Sequence, residues 1–299
     1  MKKRTLSATL LLLALLTACA TNSTVQSAAA TSCNTTTSQN APTPLLYSAD
    51  KGDTQNVRCL LDNGAAIDAP DNLGLTPLML AATKMQTDTA RLLLDRGARV
   101  DATSKTGLTA LMFAVTIAPT NTARLLLDRG ANVNAANKHG ATALMMAAAQ
   151  GRANNARLLL DRGANPNAAD SDGETALMSA AGKGHTETVR HLLDKGAHMH
   201  ATDKKGWTPL MFAAANRGYA NTVGLLLGKG ANMHATDNDG NTALMIAAAK
   251  AHPDTVALLL EKGAKINATN KNGDTALTLA QKGKRADIVQ MLRAAGANK

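Results

Sequence analysis

Apolar positions along the chain come as pairs of short clusters separated by polar turns, and the pair repeats. One cluster reads LMLAAT, LMFAVT or LMMAAA, a short helix whose alanines let a neighbour approach closely. The next is a leucine run, Arg91-Leu92-Leu93-Leu94 or Arg124 to Leu127, which stops at Gly97, Gly130 or Gly163. Glycine just past the last apolar turn suits a left-handed helix end. Thr43, Thr76, Thr109, Thr142, Thr175, Thr208, Thr242 and Thr275 each open the pattern T-P/A-L, 33 residues apart except for 34 between Thr208 and Thr242. Threonine is a good N-cap, and Pro44, Pro77 and Pro209 fall at the first helical position, where a missing N–H costs nothing. Asx-x-x-Gly segments such as Asp71 to Gly74 and Asp237 to Gly240 turn the chain back before the next threonine. Helices of about ten residues or fewer are unstable alone in water, so stability must come from stacking the units.

A 33-residue period with these landmarks resembles the ankyrin repeat. Units opening at the eight threonines cover residues 43–299. The resemblance implies an all-α ankyrin-repeat solenoid of helix-turn-helix units joined by β-hairpin-like loops. Ankyrin units usually read T-P-L-H, but here the fourth slot holds Met79, Met112, Met145, Met178, Met211 and Met245, a stripe expected to pack in the core. The last unit has Thr278 in that slot and adds Gln281, Lys282, Lys284 and Arg285, as a solvent-facing cap should.

The first 42 residues follow a different logic. Met1 to Arg4 is a basic start, and Ala8 to Leu16 is an apolar run too short to span a bilayer. Leu16-Thr17-Ala18-Cys19 resembles the bacterial lipobox. That resemblance implies a signal peptide over residues 1–18, cleavage before Cys19, and acylation of Cys19 as a membrane anchor. Ala20, where the inner-membrane retention signal would have Asp, favours the outer membrane. Residues 20–42 are a Ser/Thr/Asn/Ala tract without hydrophobic period, a flexible tether from Cys19 to the repeats. Cys33 and Cys59 are candidates for a disulfide in an oxidising compartment. Against a bridge, Cys59 occupies the slot of Leu92 and Leu125, so a buried thiol fits as well.

Composition narrows the function. Aromatic residues make up 2%, too few for base-stacking platforms, so nucleic acid is not an expected partner. The formal charge of +10 falls to +7 once Lys2, Lys3 and Arg4 are removed (10 minus 3), only a mild attraction to anionic surfaces. No G-x-S-x-G, H-E-x-x-H, P-loop or CxxC pattern is present, no residue stands out as catalytic, and no cofactor is expected. His198, His200 and His234 offer an alternative, a metal-binding envelope protein, but adjacent layers about 8–10 Å apart would have to bend to share one ion.

In ankyrin proteins the usual binding surface comprises the hairpin tips and the exposed end of helix one. By register this surface includes Leu73, Leu75, Thr106, Leu108, His139, Asp172, Glu174, Lys205, Trp207 and Asp239 on the tips. Ile117, Asn216, Arg217 and Tyr219 belong to the region between the two helices of their units. These positions vary while the scaffold positions repeat. Leu73, Leu75, Leu108 and Ile117 are read as an apolar cluster, Trp207 as an exposed anchor, and Phe212, which shares its slot with Phe113, as core. The chain is thus expected to be a monomeric, non-catalytic scaffold, lipid-anchored at the periplasmic face of the outer membrane. Its expected partner is a periplasmic or envelope protein, either a toxin it neutralises or an enzyme it supports.

Overall fold

Each threonine that opens a repeat caps a helix. The Oγ1 atoms of Thr43, Thr76, Thr109, Thr142, Thr175, Thr208, Thr242 and Thr275 accept the N–H of the residue three positions on, at 3.2–3.4 Å. The computed structural model describes residues 33–34, 43–117, 119–216 and 218–298, and these hold sixteen helices and almost no strand. Cys19 and Arg217 lie outside the described residues. The chain divides into two compact units, up to Met146 and from Ala147 onward. Among the described residues no helix is long and apolar enough to cross a membrane.

The first unit contains α1 (Pro44–Lys51), α2 (Thr54–Asp62), α3 (Pro77–Thr83), α4 (Thr87–Asp95), α5 (Ala110–Ala114) and α6 (Asn121–Asp128). The division falls inside α7 (Ala143–Ala149). First helices pack in one row, α1 on α3 on α5, and second helices in another, α2 on α4 on α6. Leu78, Met79, Ala81 and Ala82 of α3 are buried, as are Leu111, Met112 and Phe113 of α5. Arg96 reaches back 34 residues to Asp62 at 2.6 Å, and Arg129 to Asp95 at 2.7 Å.

The second unit continues with α8 (Ala153–Asp161), α9 (Ala176–Ala181), α10 (Thr186–Asp194), α11 (Pro209–Ala214) and α12 (Ala220–Gly228). It closes with α13 (Ala243–Lys250), α14 (Pro253–Glu261), α15 (Ala276–Lys282) and α16 (Ala286–Ala294). Its rows run α9, α11, α13, α15 and α8, α10, α12, α14, α16. Lys195 pairs with Asp161 and Lys229 with Asp194, at 2.8 and 3.0 Å. Hydrogen bonding to Lys195 holds the Asp161 carboxyl below the usual carboxylate range. Both partners of each pair are exposed, so the ladder aligns repeats more than it stabilises them. Gln281, Lys282, Lys284 and Arg285 face water at the C-terminal end.

The methionine stripe is buried in both units, as its register predicts. Three sulfurs do more than fill space. Met145, Met178 and Met211 accept the backbone N–H of Thr142, Thr175 and Thr208 at 3.4–3.5 Å, satisfying a donor at the helix entrance.

A second ladder joins repeats through hydroxyls. Thr54 meets Thr89, Thr87 meets Thr122 and Thr186 meets Thr222, each at 2.7 Å. In the second unit the rung below Thr188 is missing, because Ala153 stands where Thr54, Thr87 and Thr186 do. The buried Thr188 Oγ1 consequently lacks a partner. We expect Ala153→Thr to supply one and raise stability by about 1 kcal/mol. An unchanged or lower melting temperature would show that the missing rung costs nothing.

Candidate functional site

The hairpin tips are built from one polar side chain per repeat. Asp71 Oδ1 accepts the N–H groups of Leu73 and Leu75, both at 2.8 Å, and Asp203 Oδ1 those of Lys205 and Trp207 at 2.8 and 2.7 Å. Ser104 Oγ, Asn137, Asp170, Asp237 and Asn270 do the same for the residues two and four positions on. Because the first residue satisfies the backbone, the residues two and four positions later are free to vary in side chain. That is why the predicted binding positions differ while the frame repeats.

Neighbouring tips are bonded to one another within each unit. In the first, Lys105 N–H donates to Leu73 O and Lys138 N–H to Thr106 O. In the second, Lys204 donates to Asp172 O, Asn238 to Lys205 O and Lys271 to Asp239 O. Each tip is therefore a fixed platform.

The first unit corrects the expected apolar cluster. Leu73 is 49% exposed and Leu75 and Ile117 are half-buried, but Leu108 is only 5% exposed. The Leu108 side chain is buried and is removed from the surface, leaving Leu73, Leu75 and Ile117. Thr106 is half-buried with its hydroxyl against Ser104 Oγ, and His139 is exposed. Sequence reasoning missed a groove of about 640 Å³ at the starts of α2 and α4 and along α6. Arg91 and Arg124 share its wall with Asp88 and Asp128, so it favours neither sign of charge.

In the second unit Asp172, Lys205 and Asp239 are exposed, while Glu174 and Trp207 are half-buried. Trp207 lies edge-on to Phe212, ring centres 5.5 Å apart with planes at 75°. Phe212 is half-buried rather than core, unlike Phe113 at 4% exposure. One period earlier each ring has a different neighbour in register, Leu80 before Phe113 and the small Ser179 before Phe212. Trp207 and Phe212 thus form an aromatic pair that is only partly buried.

Two other predicted contacts serve packing between repeats. The Asn216 amide donates to Gly182 O at 3.1 Å and Phe212 O at 3.2 Å. Tyr219 lies against Gly184, where a Cβ would run into its ring. Their side chains are committed before any partner arrives.

The same register holds His185 and His252. His185 Nε2 stands 3.3 Å from Ala149 O, and His252 Nε2 3.0 Å from Ala215 O. Burial pushes the His185 pKa down, the Ala149 carbonyl pulls it back up, and Lys183 and Arg152 lower it further. The native state thus prefers neutral His185, and the unfolded chain binds the proton more readily. Stability should hold above the ordinary histidine range and fall as pH drops through it towards the lowered native value. Gln86, which packs over Gly52 in the first unit, suggests the replacement. His185→Gln should lose less melting temperature than the parent between about pH 7.5 and 5.5. Parallel melting curves would remove His185 as the cause.

His198, His200 and His234 are each exposed. Among the described residues no three His, Cys, Asp or Glu side chains gather in a group able to hold a metal ion. His198, His200 and His234 are thus not brought together in such a group. Cys33 and Cys59 are joined as a disulfide, with Cα atoms 5.6 Å apart.

The repeat frame, its capping threonines and its glycine-ended second helices agree with a match to the family model for ankyrin repeats (3 copies). The match covers residues 15–104, 99–170, 162–237 and 210–299. The chain belongs to the ankyrin-repeat family. Comparison with curated proteins finds no match. Ankyrin repeats generally mediate protein–protein interaction, which is what ordered tips with freely varying side chains suit.

Proposed function

We propose that this ankyrin-repeat chain is a non-catalytic, monomeric scaffold that binds a periplasmic or envelope protein. It is held at the periplasmic face of the outer membrane by an acylated Cys19. The partner is a toxin that the scaffold covers or a periplasmic enzyme that it supports. One observation carries the binding reading: a half-buried pair of Trp207, on a tip hydrogen-bonded to its neighbours, with Phe212 of α11. Rings fixed in this way lose little freedom on binding, and tryptophan is enriched among residues that dominate interface energy. The Cys33–Cys59 disulfide supports an oxidising compartment, and the lipobox resemblance at Cys19 supports the anchor.

The test is affinity capture from an envelope extract with the full chain beside Trp207→Ala. A protein retained by the parent and lost by the variant is the expected result. Equal retention would move the site away from Trp207, first to Leu73 and Leu75. Retention of nothing specific by the parent would count against the scaffold itself. Cys19→Ser should abolish incorporation of labelled fatty acid and release the protein from membranes; persistent labelling would refute the anchor.

A further inference from the structure

We infer that the tips of the second unit dock a positively charged segment of a partner protein, with a lysine or arginine side chain seated on the Trp207–Phe212 pair. The inference rests on the protein-binding reading above and names the chemistry of the partner.

Charge in the second unit is sorted by place. Residues 147–299 carry 19 Lys and Arg against 13 Asp and Glu, a formal +6. Its four tips, residues 170–174, 203–207, 237–241 and 270–274, carry seven Asp and Glu against three Lys, a formal −4. The tips are thus acidic on a basic body, and the aromatic pair stands among them. The first unit lacks this sorting: its tips at 71–75, 104–108 and 137–141 carry one Asp against two Lys. A partner selected by positive charge would therefore choose the second unit.

In the tip of Trp207 and the one before it, four carboxylates, Asp170, Asp172, Glu174 and Asp203, stand against two cations, Lys204 and Lys205. Glu174 occupies the position in its tip that Trp207 holds in the next. Burial raises the pKa of its carboxyl, and Asp170, Asp203 and Asp172 raise it further, against only Lys205. A cation brought to this place relieves repulsion already present. Its aliphatic stem covers the rings, its charge meets their π-faces, and the nearby carboxylates complete its shell. The hydrogen bonds between tips, Lys204 N–H to Asp172 O and Asn238 N–H to Lys205 O, hold these groups in place beforehand.

Trp207 is the only tryptophan in the chain, so its emission reports on this site directly. We would titrate the full-length protein with a short peptide alternating arginine and leucine, and with its glutamate–leucine counterpart. The arginine peptide should change the emission saturably and bind more weakly as salt rises. The glutamate peptide should leave the emission unchanged. Glu174→Gln with Asp172→Asn should weaken the arginine peptide about tenfold or more, and Lys205→Gln should tighten it a few-fold. The opposite directions separate charge selection from damage to the fold. Equal affinity for both peptides would overturn the cationic partner, as would a flat response to both. Either result leaves the scaffold reading standing if the parent still captures a protein through Trp207. Capture of nothing would sink that reading separately.

Discussion

Breaking the Cys33–Cys59 disulfide should lower stability by about 2–3 kcal/mol, with the loss falling first on the opening repeat. The bridge joins residues 26 apart, and closing a loop of that length restricts the unfolded chain by up to about 3.5 kcal/mol in the chain-entropy picture. Ordering Cys33 and Asn34 on α2 in the native state takes back part of that gain. The bridge is not the only tie at this place. Asn34 N–H donates to Asn56 Oδ1 at 2.9 Å, and the Asn56 amide returns a bond to Asn34 O at 3.3 Å. Asn63 donates to Cys33 Sγ and to Cys59 O. This support matters because α2 buries only Val57 and Leu60, whereas α4 buries Thr89, Ala90, Leu92 and Leu93. A terminal repeat with fewer buried residues frays before the rest. Denaturant unfolding with and without reductant, and amide exchange in α1 and α2, provide the measurement. Cys33→Ala should match the reduced parent and no longer respond to reductant. Identical unfolding curves with and without reductant would mean that the bridge only decorates an already stable end.

What the sequence discloses here follows the range of the interaction concerned. Helix entrances were legible because Thr76 acts on Met79 and Pro77 sets its own φ, both within one turn. The inward methionine stripe was legible because its period matches the repeat. Solvent access at a tip depends on the neighbouring repeat, and there the reading failed. Leu75 and Leu108 hold the same place in their tips, yet one is half-buried and the other buried. Phe113 and Phe212 share a register but differ in the residue one period away, Leu80 or Ser179. Tyr219 resembled a contact residue because its anchor, Gly184, has no side chain to announce it. The Asp62–Arg96 ladder was missed for a related reason: its 34-residue spacing has meaning only once the stacking of repeats is known.

A tip glycine and a helix-end glycine carry the other large expected effect, which separates two demands on the residue. Gly196 and Gly206 both hold positive φ, +83° and +77°, so any L-residue pays about 1–2 kcal/mol at either place. They differ in space. A Cβ on Gly196 would meet nothing within 4 Å, while one on Gly206 would stand 2.9 Å from the Asn238 backbone nitrogen and 2.7 Å from its Oδ1. That nitrogen donates to Lys205 O at 2.9 Å, and the Asn238 amide donates to Lys204 O at the same distance. Making room for the Cβ means pushing the next tip away and weakening both bonds, each about 1 kcal/mol. We therefore expect Gly196→Ala to cost about 1–2 kcal/mol and Gly206→Ala about 3–4 kcal/mol. Gly206→Ala should also disturb the emission of the adjacent Trp207, and Gly196→Ala should not. Equal costs for the two variants, with unchanged emission in both, would mean that the tips are not locked together. The Trp207 platform would then be free to move, and the low entropic cost assigned to binding on it would be lost.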